Sequence, residues 1–311
     1  MCLGKNTDTK FHPEDHYCKA QIKSVMNYLA LIKDKYCIDD ILILSIDDKA
    51  KIKIGVPAVS RYVHSRKYFE IHNEPTTPDH DFPISEKLLI TPSGNQLILI
   101  FYLINIGYLE LDLKTETLKD KYERTFYCKP ANSQLHIVNR PFYFVSTSAF
   151  SHAKDIYQII QAKANKPSVL ALTSDNGPDF SPNSYLVFIA LGRLWKLLDL
   201  DQLFISSYAP YNSRYNSIEI AWGTMSQALA QIVLCPQAKE YIQREGGRVE
   251  MFRIAMAELD SIWGKTYYAE KLVQTRSIDP LDAEYQDNPF SDYESVKDVL
   301  NKGEKSTFYT K

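Results

Sequence analysis

Glycine is scarce in this chain, with 11 in 311 residues. Glycine-rich loops that cradle nucleotides are correspondingly missing, and no dinucleotide fingerprint or phosphate-binding loop occurs. There is no Gly-x-Ser-x-Gly nucleophile turn and no zinc-protease helix motif, so hydrolases built on those devices are excluded. Long apolar runs are missing too. The longest, Leu97 to Ile104, is far short of the roughly 18 residues that span a bilayer. The first twenty residues are polar, without the apolar stretch of a secretory signal. These absences predict an intracellular protein with no membrane segment. The five cysteines, at 2, 18, 37, 128 and 235, form an odd, scattered set that reads as reduced thiols. Internal repeats and low-complexity tracts are absent. So is a strong excess of charge: the net value is −2, where a chain that binds nucleic acid is ordinarily basic. That balance hides a split. Asp279 to Glu304 holds eight acids and two bases, and the rest of the chain carries +4. A solvated acidic tail is the plain reading; a tail that competes with DNA for a basic groove is the sharper one.

What is present is the composition of a globular protein: 45% apolar and 12% aromatic residues, enough for a sizeable core. Ile22, Val25, Met26, Leu29 and Ile32 recur at helical spacing and predict an amphipathic helix over 20–36. Ile41-Leu42-Ile43-Leu44-Ser45-Ile46 reads as a strand buried on both faces, hence central. Three prolines within 74–83 mark a loop. Segment 88–104, folded about Pro92-Ser93-Gly94-Asn95, reads as a β-hairpin, and strands are expected near 107–113 and 136–145. Ser151 is read as the cap of a helix with Ala153, Ile156, Tyr157 and Ile160 on one face. Val169 to Thr173 is a short buried strand. Tyr185 to Leu198, apolar nearly all round, predicts a buried helix, followed by a strand at 203–205. Ser217 is read as the cap of a helix whose buried stripe is Ile218, Trp222, Met225, Leu229 and Val233. Helix is expected over 238–263 and a loosely held tail after Asp279. Strands followed by strand–helix alternation imply a mixed α/β sheet with helices on its faces.

Three acids occupy telling places in that pattern. Asp47 ends the first central strand, Asp175 ends a second, and Glu219 lies in the first turn of a helix. In open α/β sheets functional groups gather outside the carboxyl ends of the strands. Clustered carboxylates repel and are forced toward the neutral form unless a cation joins them. Magnesium or manganese supplies that charge, and two such ions about 3.5–4 Å apart suit phosphodiester cleavage. Gly223 and Ser226, at i+4 and i+7 from Glu219, are small and leave room for an ion or phosphate. Side chains alternate along a strand, so only one of Asp47 and Asp48 points into a shared site. Asp47 is preferred and Asp48 is the alternative.

The segment Ser174-Asp175-Asn176-Gly177-Pro178-Asp179-Phe180 resembles the second-aspartate motif of retroviral integrases and DDE-type transposases. Tyr208 to Glu219, with Asn216-Ser217-Ile218-Glu219 at its end, is similar to the proline-tyrosine and Asn-x-x-Glu segment of mariner-type transposases. Leu44 to Ala50 is similar to the first-aspartate strand of transposon-derived proteins. The resemblance covers roughly residues 38–234. It implies a ribonuclease H-like fold with a hairpin insertion between the first two catalytic strands. It further implies a two-metal magnesium or manganese site on Asp47, Asp175 and Glu219, DNA as partner, strand cleavage and strand transfer, homo-oligomers and a nuclear location. The division so implied is a helical segment at 1–37, a catalytic domain at 38–235, and a helical segment with acidic tail at 236–311. The 128-position interval from Asp47 to Asp175 and the lack of a visible helix-turn-helix or zinc module depart from the family pattern. A catalytically inactive, transposon-derived DNA-binding or protein-interaction module is therefore the alternative.

Other candidates carry bland readings beside the sharp ones. His152 at a helix start is more often structural than a cleft residue. Arg193 and Arg214 are phosphate-binding candidates, and Arg214, five residues before Glu219, is the better. Asn216, three before Glu219, joins the candidate set through its motif. Tyr208 and Tyr211 can stack on bases but also simply pack. His12, His16 and Cys18 invite a zinc reading, but no second Cys-x-x-Cys completes it. Asp79-His80-Asp81 sits in the proline-rich loop, where solvation is the ordinary fate.

Overall fold

The apolar run at 41–46 becomes an inner strand of a six-stranded sheet, paired on both sides. The structure, a computed structural model, describes residues 13–36, 40–56, 58, 101–113, 118–119, 125–126, 130–145, 147–177, 179–210 and 212–282. In chain order the elements are α1 (Asp15–Tyr36), β1 (Ile41–Lys53), β2 (Tyr102–Leu113), the short β3 (Leu118–Lys119) and β4 (Thr125–Phe126), and β5 (Pro130–Pro141). Then come α2 (Ala149–Gln161), β6 (Val169–Ser174), α3 (Tyr185–Leu198), β7 (Gln202–Ser207) and α4 (Ser217–Ala228). The chain closes with α5 (Ala238–Ile242), α6 (Gly247–Trp263), the short β8 (Tyr267–Tyr268) and β9 (Lys271–Leu272), and β10 (Gln274–Ser277).

The sheet order is β10-β5-β2-β1-β6-β7. β2 lies between β1 and β5 and runs antiparallel to both, whereas β6 and β7 run parallel to β1. Counting only these five long strands, the spatial order is third, second, first, fourth, fifth. That mixed topology, with helices on both faces, is ribonuclease H-like. Each face has its own core. Ile43, Leu103, Leu109 and Ile137 pack under α1, α4 and α6, with Trp222, Phe252 and Trp263 above them. Leu42, Leu44, Ile46, Ile106 and Val138 pack under α2 and α3. The strict alternation of Ile and Leu in β1 is what feeds both.

Several boundaries differ from the sequence expectation. Helix α2 is capped by Ser148, not Ser151; the two serines bond reciprocally, Ser151 N donating to Ser148 Oγ and Ser148 N to Ser151 Oγ. The cap of α4 is Asn216 rather than Ser217. Helix α3 buries only one side: Val187, Ala190, Leu191 and Leu194 are inside, and Tyr185, Leu186 and Leu197 are exposed. Strand β1 does not end at Asp47. Its pairing with β6 stops at Ile46↔Ser174, but the antiparallel partner β2 carries it on to Lys53. The region 238–263 is two helices, and β10 beyond them adds a strand to the sheet beside β5. The first hairpin strand at 88–91, its turn, and Asp79-His80-Asp81 lie outside the described residues, as does the tail after Asp282.

Candidate functional site

Alternation along β1 turns Ser45, Asp47 and Lys49 toward α4. The residue opposite Asp47 on β2 is Gly107. A Cβ there would lie 2.6 Å from both Ile218 Cδ1 and Trp222 Cζ2, so α4 rests on bare backbone at this point. A larger residue would lift the helix, and Glu219 in its first turn with it. The start of α4 is fastened to β1 by side chains. Asn216 Nδ2 donates to the Ile46 carbonyl at 2.9 Å, Ser45 Oγ donates to Asn216 Oδ1 at 2.5 Å, and Ile218 N donates to Ser45 Oγ at 3.2 Å. Ser45 and Asn216 are both almost fully buried. Asn216 thus anchors the helix start one residue before Asp47 and three before Glu219. Further along, Lys49 is buried and donates from Nζ to Ser226 Oγ at 2.5 Å.

Asp175 stands just beyond the last residue of β6, half-buried, its Oδ1 accepting the Gly177 amide at 3.1 Å. This Asx turn is why the sequence Asp-Asn-Gly works here: the carboxylate organises its own loop. Asp47 is only 8% exposed. Burial, then the charges of Glu219, Asp175 and Asp48, lift its pKa to about 8, against a backbone hydrogen bond at Asp48. Acids from β1, the β6 loop and α4 therefore feel one another at Asp47. Among the described residues, however, no three of His, Cys, Asp or Glu stand close enough together to hold an ion. Carboxylates without a counter-cation repel, and that repulsion adds to burial in raising the Asp47 pKa. The donor chemistry, oxygen ligands only, suits magnesium or manganese.

Asp48 turns to the other face, toward α2. Burial raises its pKa to about 7; Arg140 opposes the rise, while Asp179, Asp175 and Asp155 add to it. Water reaches the side chain, which softens that push. Beneath it lies a closed polar network. Arg140 and Asp155, both fully buried, form an ion pair. Asp155 also accepts from Tyr108 OH at 2.7 Å and from Arg276 Nη2 at 2.7 Å. Tyr108 OH meets His152 Nδ1 at 3.0 Å. His152 is buried, stacked on Phe180 with centroids 4.0 Å apart, and burial and then Arg140 hold its pKa well below the ordinary value. It is a neutral network member on the face away from Asp47.

Arg214 is exposed and leans on Tyr215, donating from Nη2 to its hydroxyl at 3.1 Å. Lys19 lies over the same ring at 3.9 Å, tying α1 to this turn. Tyr208 is half-buried, and Tyr211 lies outside the described residues. His16 is exposed and Cys18 half-buried on α1, while His12, Cys2 and Cys37 lie outside the described residues. Gly107, Ser45 and Lys49 shape the site without having been singled out in the sequence. Only the cross-strand register with β2, and the helix laid over it, reveals them.

The strand order, with helices on both faces, defines a ribonuclease H-like fold in which Asp47 and Asp175 lie near the carboxyl end of β6. No protein-family model matches it, and no curated relative matches it in sequence. Among solved structures it is similar to a Mos1 strand transfer complex, at 12% identity and a TM-score of 0.36 over 86% of this chain and 67% of that one. It is also similar to a Mos1 transposase paired-end complex with left transposon end, at 12% identity and a TM-score of 0.38 over 85% and 65%. A pre-cleavage Mos1 transpososome gives 11% identity and a TM-score of 0.36 over 86% and 68%. The chain spans about two thirds of the length of these structures. Likeness this distant assigns no activity. Among the described residues no helix is long and apolar enough to cross a membrane.

Proposed function

We propose that this chain is a divalent-metal-dependent DNA strand-cleaving and strand-transferring enzyme of the DDE transposase and integrase type. The observation that supports it most is the buried Asp47, raised to about 8 by burial and by the charges of Glu219, Asp175 and Asp48. An acid so placed is costly to the fold in its charged form, and a cation beside it would relieve that cost. Asp47, Asp175 and Glu219 would hold magnesium or manganese, whose charge would stabilise the attacking and leaving oxygens of phosphodiester cleavage.

The chain's own residues set the conditions for this. Asp47 would give up its proton to solvent on holding the cation. Gly107 lets α4 lie low enough for Glu219 to reach the cleft, and Asn216 with Ser45 fixes the start of that helix. The Asx turn orients Asp175. In cleavage, a water oxygen forms a bond to phosphorus, the bond from phosphorus to the departing sugar oxygen breaks, and that oxygen leaves with a proton. In transfer, the freed hydroxyl attacks a second phosphodiester in the same way. DNA is the partner in both steps.

The test is nicking of supercoiled plasmid in manganese, together with calorimetric manganese titration. The wild-type chain is expected to nick and to bind the ion. Asp175→Asn should abolish nicking while its circular dichroism and melting stay native-like. Equal nicking by the variant would overturn the site assignment. Neither nicking nor ion binding by the wild type would favour a non-catalytic DNA-binding or protein-interaction module.

A further inference from the structure

Beyond Asp47, strand β1 leaves β6 behind and projects with β2 and β5 as a three-stranded ribbon. Its tip is closed by Ile54 N donating to Phe101 O at 3.0 Å and Phe142 N donating to Tyr102 O at 3.2 Å. The turn that follows β5 is Phe142-Tyr143-Phe144, held by Phe144 N donating to Pro141 O at 2.9 Å. Turns of this kind usually carry small polar residues. Here two large rings stand in water, Phe142 at 44% and Tyr143 at 55% exposure. The rings beneath them are fixed. Phe101 meets Tyr143 edge-on at 5.7 Å, Phe144 meets Phe252 at 5.6 Å, and Phe101 and Phe252 are buried. Two cations flank the exposed pair. Lys51 Nζ lies 3.9 Å from the Phe142 ring centroid, and Arg248 Nη1 donates to Tyr143 OH at 2.9 Å. Among the described residues neither cation is in an ion pair.

We propose that Phe142 and Tyr143, with Lys51 and Arg248, form a stacking platform for unpaired bases of a DNA strand that leads into the acidic cleft. The proposal rests on the reading that DNA is the substrate. Exposed aromatic faces on a rigid base stack on any nucleobase that has left a duplex, and flanking cations meet the phosphates between bases. Duplex bases offer no free face, so the platform selects unpaired over paired DNA. Lys51 is four residues from Asp47 along β1, past a bulge between Lys49 and Ile52 that turns Ile52 and Ile54 into the core that holds Ile43, so it stands within roughly 13 Å of Asp47 at about 3.3 Å per residue. The two cations match a polyanion rather than an apolar protein surface or a hydrocarbon chain.

Binding of the full chain is measured by fluorescence anisotropy, in EDTA, to labelled oligothymidine, to a blunt duplex, and to that duplex with an unpaired overhang. Phe142→Ala/Tyr143→Ala is expected to weaken oligothymidine and overhang binding by about tenfold or more and to leave blunt-duplex binding unchanged. Phe142→Trp/Tyr143→Phe, which keeps the ring faces, should restore binding to unpaired DNA. Lys51→Ala/Arg248→Ala should reduce the slope of log affinity against log salt by about two. The proposal is overturned if the alanine pair loses nothing, if it loses duplex and overhang equally, or if the aromatic replacements fail to restore binding. Absence of nicking alongside intact, ring-dependent binding would sink the catalytic reading alone.

Discussion

Replacing Asp47 by asparagine should make the metal-free protein more stable. Its carboxyl has an ordinary pKa of 3.8 in the unfolded chain and about 8 in the folded one. Because the folded value is raised, the full stability is present below pH 3.8, falls as pH rises, and stops falling above about 8. At pH 7 the accumulated penalty is about 4 kcal/mol, at about 1.4 kcal/mol per pH unit. Asparagine keeps the shape and has no charge to bury. Its amide will not find every hydrogen bond it wants in so enclosed a place, so about 2 kcal/mol of net gain is expected, or a rise in Tm of about 4–8 °C. The assay is thermal unfolding of both chains from pH 5 to pH 8 in EDTA, followed by the same series in manganese. The difference should be small at pH 5 and grow toward pH 8. Manganese should then reverse the order, raising the wild type and leaving Asp47→Asn unmoved. A variant that melts below the wild type at every pH in EDTA would refute the argument, because Asp47 would then be a structural acid rather than a strained one.

Three further perturbations test the framework around the acids. Gly107→Val should cost about 1–3 kcal/mol by overpacking against Ile218 and Trp222, and manganese affinity should fall as Glu219 is displaced; calorimetry on the folded variant reads both. Asn216→Ala removes two buried bonds to β1 and strands Ser45 Oγ and the Ile46 carbonyl. It should cost about 1–3 kcal/mol in denaturant unfolding and weaken manganese binding, with Asn216→Asp restoring little because a carboxylate cannot donate to Ile46. Asp155→Ala leaves Arg140 buried without its carboxylate and cuts the tie to Arg276 on β10. Unfolding should be easier by about 3–5 kcal/mol, and unchanged stability would show that the network is dispensable.

Those parts of the fold that depend on local pattern were legible in the sequence. The Ile-Leu alternation of 41–46 reads as a doubly buried strand because each face needs its own apolar set. Tyr185 to Leu198 reads as a helix with its observed bounds, although mean apolarity says nothing about which side meets the core, and half of it faces water. Boundaries were missed where a polar residue gains its structure from a distant partner. Asp47 reads as the end of a strand, and the strand runs on to Lys53 because β2 pairs with it. Gln274 to Ser277 has no strand signature and becomes one beside β5. Ser148 rather than Ser151 caps α2 because both serines can bond in a reciprocal pair, and the sequence does not say which sits outside the helix. Asp175 and Glu219 were visible as strand-end and helix-start residues, whereas Asp47 lies inside its strand. What brings them near one another, the bare backbone at Gly107 and the side-chain tie from Asn216 to β1, depends on a register that sequence spacing does not contain.

The projecting half of β1 also poses a problem of solubility. Past Ile46 it has β2 on one side, and among the described residues no strand pairs with it on the other. Open strand edges invite pairing with another chain. This edge carries Asp47, Asp48, Lys49, Lys51 and Lys53 within seven positions, so a second copy laid alongside would bring lysines against lysines or bury acids that are already reluctant to ionise. The charge on this strand therefore also disfavours its pairing with another chain, and variants that trade these residues for β-branched apolar ones should associate more readily.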